Sequence, residues 1–217
     1  MFISLGFACR VRESIDRFNQ HRLETNFFDW LLTNFTTVLF IIQHINHRER
    51  FLTADKFVYK GISPNNLTHN TVDHSQLFCS SLHDFPSNVS VESYMPAFLE
   101  KYNRRLDRLK HLIMNQKERI HFIHMVAFTM SIPTIADVYN FVIAIKQINP
   151  NCNYYLHFFV PPELHGEYEK INTLAICNNI KIHYLTSNGD KVQASNAQRT
   201  DLNWHDTYKH IIAHYSG

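Results

Sequence analysis

The amino-acid sequence predicts an α/β fold, and two observations support this prediction. Short apolar runs rich in β-forming residues alternate with segments of helical period in the second half of the 217-residue chain. Since a parallel connection between strands requires a crossover, this alternation predicts a mostly parallel sheet with helices on both faces, a Rossmann-like three-layer arrangement. The chain is 45% hydrophobic, so we expect one domain over residues 1–217 with a substantial core.

The strands and helices of the second half are bounded by clear turn signals. Asn149-Pro150 ends a helix predicted over Ile135–Ile148, and Pro161-Pro162 ends the strand after it. A weaker helix is predicted over 163–177, followed by a strand over 180–185 and a turn at Ser187–Asp190. Four apolar runs are expected to be neighbours in one sheet: residues 2–5, 121–126, 153–159 and 181–185.

The middle of the chain has a different pattern. Residues 51–90 predict an irregular insertion beside the sheet, with possible short strands at Phe57-Val58-Tyr59 and Leu77-Phe78-Cys79. We expect this insertion to carry His83 toward the functional site. The segment Tyr94–Asn115 predicts one long helix, and its polar face is basic, with Arg104, Arg105, Arg108 and Lys110. An ordinary solvated face is the favoured interpretation, because Glu100 and Asp107 can pair with it. Contact with an anionic substrate group is the alternative.

The first thirty residues contain the first candidate nucleophile. The apolar run from Met1 ends at Gly6, and three residues later Cys9 begins an amphipathic segment over 10–19. This order predicts a buried strand, a tight turn and a cysteine in the first turn of a helix. Free N–H groups and the helix dipole stabilise a thiolate there. The alternative is that Cys9 is a small apolar residue packing the helix against the sheet.

Several short blocks of sequence resemble motifs of one known family. They are Ile3-Ser4-Leu5-Gly6 with Cys9, Arg22-Leu23-Glu24-Thr25, Phe28-Asp29-Trp30, Leu82-His83-Asp84-Phe85 and Lys101–Arg108. In the same order they are similar to S-L-G-x-x-C, L-R-x-x-S, P-F-D-W, H-D-F and Y-x-R-R-I-x-R-F of DUF1796, a family of papain-like cysteine peptidases. Phe27 replaces the family's proline, and Thr25 stands where the family has serine.

The resemblance implies a thiol-dependent site. Such an enzyme needs a thiolate, an imidazole, an orienting acceptor and N–H donors for the oxyanion. Cys9 is expected to be the nucleophile, His83 the base, and N–H groups near residues 7–10 the oxyanion hole. Asp84 adjoins His83, but in an extended strand it points to the opposite face, so Asp29 is the preferred third member. A structural alternative is that Asp29 caps a helix beginning at Trp30.

Composition excludes other classes of function. A formal charge of +2 does not favour nucleic acid as a partner, and no window approaches the roughly twenty apolar residues of a membrane span. Four cysteines without a C-x-x-C pair indicate reduced thiols and a cytoplasmic protein. The spacings of His44 with His47, and of Cys79 with His83, match no zinc motif. Nucleotide-binding motifs are missing too, so we expect neither a metal nor a cofactor.

Three functional hypotheses follow from the sequence. The first is a thiol hydrolase or acyl transferase that uses Cys9 and His83 on a peptide, ester or glycan substrate. The second is a carbohydrate- or peptide-binding module in which Cys9 is structural. The third is a sugar- or acyl-modifying enzyme without a covalent thiol intermediate. The sequence leaves the oligomeric state open.

Overall fold

A computed structural model describes residues 1–6, 25–63, 66–126, 132–185 and 214. Within these residues there are eight strands and four α-helices. The strands are β1 (Phe2–Ser4), β2 (Leu31–Thr33), β3 (Phe57–Ser63), β4 (Asn66–His74), β5 (Cys79–Pro86), β6 (Ile120–Met125), β7 (Tyr154–Val160) and β8 (Ile180–Tyr184). The helices are α1 (Phe35–Gln43), α2 (Val91–Asn115), α3 (Ile135–Ile148) and α4 (Tyr168–Asn172).

Four strands form a parallel sheet in the order β1-β6-β7-β8. This confirms the prediction that the four apolar runs are neighbours. All residues of β6 are buried, as are all but Tyr155 in β7. Burial of both faces is characteristic of parallel strands, and it explains why these runs are continuously apolar.

The helices of the second half follow the sequence signals to different degrees. Helix α3 has the predicted bounds, because Thr134 and Asp137 form a reciprocal capping box at its start. Helix α2 begins three residues earlier than predicted, where the Ser90 side chain accepts a hydrogen bond from the Ser93 N–H. The predicted helix over 163–177 is shorter, with a 3₁₀ segment at Pro162–Glu167 followed by α4. Gly166 disfavours a regular helix there.

The prediction of an irregular insertion over 51–90 is wrong. Strands β3, β4 and β5 pair antiparallel with β2 in a second four-stranded sheet, in the order β2-β5-β4-β3. The sequence pattern concealed β4 because it is largely polar, with Asn-Leu-Thr-His-Asn-Thr-Val-Asp-His over its nine residues. The described fold is therefore mixed α/β, with one parallel and one antiparallel sheet, and differs from the predicted three-layer arrangement.

The two sheets meet where β1 ends. Gly6 has φ +83°, and a Cβ at this position would lie 2.0 Å from Thr33 Oγ1 at the end of β2. The Thr33 hydroxyl donates a hydrogen bond to the Leu5 carbonyl at 3.2 Å. Only glycine allows this approach and this backbone conformation. One continuous hydrophobic core extends across both sheets, so β2 joins the carboxyl end of β1 to the antiparallel sheet.

Candidate active site

His83 lies on a bulge in β5. Asn70 of β4 pairs with Phe85, and Val72 pairs with Ser81, so Thr71 alone lies opposite the three residues 82–84. The bulge disrupts the alternation of the strand, because Leu82 and His83 are both half-buried whereas the next two residues are both buried. Bulges of this kind redirect side chains beside functional sites. The half-buried imidazole is therefore aimed differently from a side chain in a regular strand.

The rings of Trp30 and His69 flank His83. The Trp30 ring lies edge-on to His83, with centroids 6.1 Å apart, and the His69 ring lies 6.4 Å away. Trp30 has φ 71°, in the left-handed region that non-glycine residues rarely adopt. This conformation costs on the order of 1–2 kcal/mol, and such residues cluster at functional sites. Residues 30 and 83 thus meet although 53 positions separate them in the chain.

Asp29 lies in the tight turn before Trp30. It is fully buried, and its Oδ2 accepts a hydrogen bond from the Asn26 N–H at 2.7 Å. The Asp29 carbonyl accepts a hydrogen bond from Arg105 on α2 at 3.3 Å. The expected alternative role, capping a helix that begins at Trp30, is wrong, because the chain enters β2 at Leu31. The carboxylate instead closes the turn that presents Trp30.

Asp84 points into the core, away from the exposed side of the bulge. It accepts hydrogen bonds from Ser81 at 2.6 Å and Tyr102 at 2.7 Å, and forms an ion pair with Lys101. Burial alone would raise the pKa of Asp84, but the Lys101 ammonium and these hydrogen bonds outweigh it and hold the pKa below its usual value. The structure therefore separates Asp84 from the half-buried side of β5 that carries His83.

Comparisons with known proteins identify the family. A family model described as "Putative papain-like cysteine peptidase (DUF1796)" matches residues 1–160. The chain belongs to this family. Searches among curated proteins and among solved structures found no match.

Two of the DUF1796 blocks meet in space at His83. Phe28-Asp29-Trp30 forms the turn before β2, and His83-Asp84-Phe85 forms the bulge on β5, the strand that pairs with β2. A third block lies on α2. Its Lys101 and Tyr102 side chains donate hydrogen bonds to Asp84, and its Arg105 side chain donates one to the Asp29 carbonyl. The amphipathic pattern of α2 did not indicate this supporting role, because a basic helix face is usually solvated. Arg105 is in fact buried over the Tyr102 ring.

Cys9 lies outside the described residues, as do the helix predicted over 10–19 and the oxyanion-hole groups expected near residues 7–10. The other cysteines differ clearly in environment. Cys79 is buried, and desolvation with the nearby charges of Asp73 and Asp84 raises its pKa to about 12. Burial also raises the pKa of Cys152, whereas Cys177 is exposed. Cys79 and Cys152 are therefore in environments that disfavour a thiolate.

The described residues also bear on metal binding, membrane insertion and surface grooves. No group of three or more His, Cys, Asp or Glu side chains among the described residues is arranged to hold a metal ion. No helix in those residues has the length and apolar character needed to cross a membrane. An open groove near the start of α2 is lined by Tyr59, Asn70 and residues 87–92. Among the described site candidates, neither Asp29 nor His83 nor Asp84 lines this groove.

Proposed function

We propose that this protein is a cysteine peptidase in which Cys9 is the nucleophile and His83 the general base and acid. The Cys9 thiolate attacks the carbonyl carbon of a peptide bond, and the leaving amine departs with a proton from the His83 imidazolium. Water then attacks the thioester, His83 accepts a proton from it, and the thiol is released. Donors near residues 7–10 stabilise the oxyanion in both steps.

One observation supports the proposal most strongly: two sequence blocks of a peptidase family converge on one half-buried imidazole. The chain contains fifteen histidines, and five of those with described side chains are buried. His74, for example, is buried, and its Nδ1 accepts hydrogen bonds from the N–H groups of Gln76 and Leu77. His83 instead lies on a bulge beside a strained tryptophan, which favours a functional role.

The position of Gly6 supports Cys9 as the nucleophile. Gly6 is anchored to Thr33, the last residue of β2, and Trp30 lies three residues before Thr33. Cys9 is three residues beyond Gly6, and three residues span at most about 11 Å. The length of the connection is therefore compatible with a position of Cys9 near the turn that presents Trp30 to His83.

We further propose Asp29 as the carboxylate that orients His83. It adjoins Trp30, whose ring contacts the imidazole. Asp84 already accepts hydrogen bonds from three side chains on the core side of the bulge. We therefore propose that Asp84 stabilises the bulge and that Asp29 orients the His83 imidazole.

Two reagents test the proposal: a library of peptides as substrates and a thiol-reactive peptide as an inhibitor. The full-length protein is incubated with a proteolytic peptide mixture, and new cleavages are measured by mass spectrometry. A peptide vinyl sulfone is added in parallel, and the modified residue is identified. We expect cleavage and modification at Cys9, no detectable turnover for Cys9→Ala, and a loss of at least about 100-fold for His83→Ala.

Matched controls separate chemistry from folding. Cys177→Ala removes an exposed thiol, and His47→Ala removes an exposed imidazole; both variants should retain full turnover. Thermal unfolding should show that Cys9→Ala and His83→Ala remain folded. Unchanged turnover in a folded Cys9→Ala variant would refute the thiol mechanism.

A further inference from the structure

Three histidines form a hydrogen-bonded row across the parallel sheet. His121 Nδ1 lies 3.0 Å from His157 Nε2, and His157 Nδ1 lies 2.9 Å from His183 Nε2. These side chains come from β6, β7 and β8, and all three are buried. They lie on the face of the sheet opposite α1 and α3. On β6 the alternate residues face those helices, because the His124 ring contacts Phe35 of α1 and the Phe122 ring contacts Phe141 of α3.

The row runs diagonally across the sheet. His121 pairs with Tyr155, so His157 lies two residues further along the strand direction. His157 in turn pairs with Lys181, so His183 lies two residues further again. Four residues of parallel strand correspond to about 13 Å. The row therefore leads from the amino end of β6 toward the carboxyl end of β8, the edge at which open parallel sheets bind ligands.

The ring geometry favours shared protons. The His121 and His157 rings are within 14° of parallel with centroids 5.2 Å apart, and the second pair is tilted by 31° at 5.1 Å. At these N···N distances, such centroid separations mean that the rings meet edge to edge, as an in-plane N–H···N hydrogen bond requires. A neutral His157 has one N–H, so it donates in one hydrogen bond and accepts in the other. The directions of the two bonds are thereby coupled.

The surroundings oppose a fixed positive charge on the row. The Met1 ammonium, which precedes β1, and Arg119, which precedes β6, act on His121, and Lys181 of β8 acts on His157. Burial and these cations lower the pKa values of His121 and His157. The other described ring neighbours are Phe2, Tyr155 and Phe159. With their pKa values lowered in this way, His121 and His157 are neutral at pH 7.

We propose that His121, His157 and His183 form a proton relay across the parallel sheet. A proton arriving at His121 Nε2 allows the Nδ1 proton of that ring to move to His157 Nε2. The Nδ1 proton of His157 then moves to His183 Nε2, and His183 becomes the imidazolium. One proton has crossed the row, each of the first two rings is neutral again, and no other reactant is consumed.

A preformed metal chelate does not explain this geometry. Imidazole nitrogens that bind one ion direct their lone pairs at a common point, whereas in-plane hydrogen bonds direct each lone pair at the neighbouring nitrogen. His157 contacts His121 through Nε2 and His183 through Nδ1, on opposite sides of its ring. The three histidines therefore do not bring three nitrogens to one point. Proton transfer needs only the contacts already present.

Nuclear magnetic resonance of the full-length protein with ¹⁵N-labelled histidine tests the relay. At pH 7 we expect through-hydrogen-bond N–N couplings that connect His121 to His157 and His157 to His183. On acidification, over the range in which the amide spectrum remains folded, the three ring signals should shift with one common pH dependence. Independent shifts of the three wild-type rings would overturn the proposal, as would missing couplings.

Two variants separate proton transfer from hydrogen bonding. In His157→Gln the amide can both donate and accept, but it cannot pass a proton, so His121 and His183 should lose their common pH dependence. His47→Gln, an exposed residue outside the row, should leave the wild-type pattern unchanged. If His157→Gln does not fold, the wild-type couplings still decide. Loss of the couplings on adding one equivalent of ZnCl₂ would overturn the relay in favour of a metal site.

Discussion

At the scale of single residues, His83 and Asp84 are adjacent in sequence but have different environments. His83 is half-buried between two aromatic rings, whereas Asp84 is 5% exposed and accepts hydrogen bonds from three side chains. A substitution at each position should therefore affect a different property. A substitution at His83 should reduce turnover, whereas one at Asp84 should reduce the free energy of unfolding.

We predict that Asp84→Asn destabilises the protein by about 2 to 3 kcal/mol, because it leaves the Lys101 ammonium without its buried partner. Urea unfolding at pH 7 measures this change. The matched control is Asp107→Asn, which removes an exposed ion pair with Arg48 and should cost less than about 1 kcal/mol. Equal costs for the two variants would contradict the anchoring role of Asp84.

The four cysteines should differ in their rates of alkylation. If Cys9 lies at a helix start, as its sequence predicts, it should react with iodoacetamide at pH 6 at least about ten times faster than the exposed Cys177. Cys79, whose pKa is raised to about 12 by burial, should be protected in the folded protein. Peptide mass spectrometry after timed quenching gives all four rates. A Cys9 rate at or below that of Cys177 would argue against a catalytic thiol.

At the scale of elements, the site depends on a close contact between two strands. Gly6, two residues beyond β1, lies against Thr33 of β2. Strand β2 in turn pairs with the part of β5 that precedes the bulge. Strand β2, which follows the turn that presents Trp30, is therefore held by contacts with both sheets. A change at this junction should alter the site although it touches neither His83 nor Trp30.

We predict that Gly6→Ala destabilises the protein by about 2 to 4 kcal/mol, because the added Cβ would clash with Thr33 Oγ1 and the backbone has positive φ. Gly166→Ala is the control: a Cβ there meets nothing within 4 Å, so the change should remain within about 0.5 kcal/mol. Urea unfolding compares the two variants. A Gly6→Ala variant as stable as the control would show that the junction is more adaptable than the structure indicates.

At the scale of the whole molecule, buried neutral histidines link stability to pH. Desolvation by burial lowers the pKa of His121 and His124 to about 4 and that of His157 to about 2. In the unfolded chain these groups have pKa values near 6.5, so between about pH 6.5 and 4 the unfolded state binds more protons. Their contribution to stability is complete above pH 6.5 and falls as the pH decreases toward 4.

We therefore predict a steep loss of stability on mild acidification. Each such histidine contributes up to about 1.4 kcal/mol per pH unit in this interval. Urea unfolding midpoints at pH 7.5, 6.5, 5.5 and 4.5 test the prediction. The lowered pKa of Asp84 acts in the same direction but only below about pH 4, so the interval isolates the histidines. A midpoint that stays constant from pH 7.5 to 4.5 would contradict the prediction.

The sequence alone determined the four strands of the parallel sheet, the bounds of α3 and membership of the family. These features depend on local information: continuous apolar runs mark strands buried on both faces, the Thr134–Asp137 box starts a helix, and family blocks are read in order along the chain. The same local signals failed for β4, because its residues are largely polar and form no apolar run.

Only the tertiary structure decided how the candidate residues are grouped. The contact of Trp30 with His83 depends on the register of β2 on β5, and the His83 bulge depends on the register of β4 on β5. The histidine row similarly requires three strands aligned in one sheet, although His121 and His183 are 62 positions apart. Strand register is set by packing and by backbone pairing between distant segments, and no local pattern of residue types encodes it.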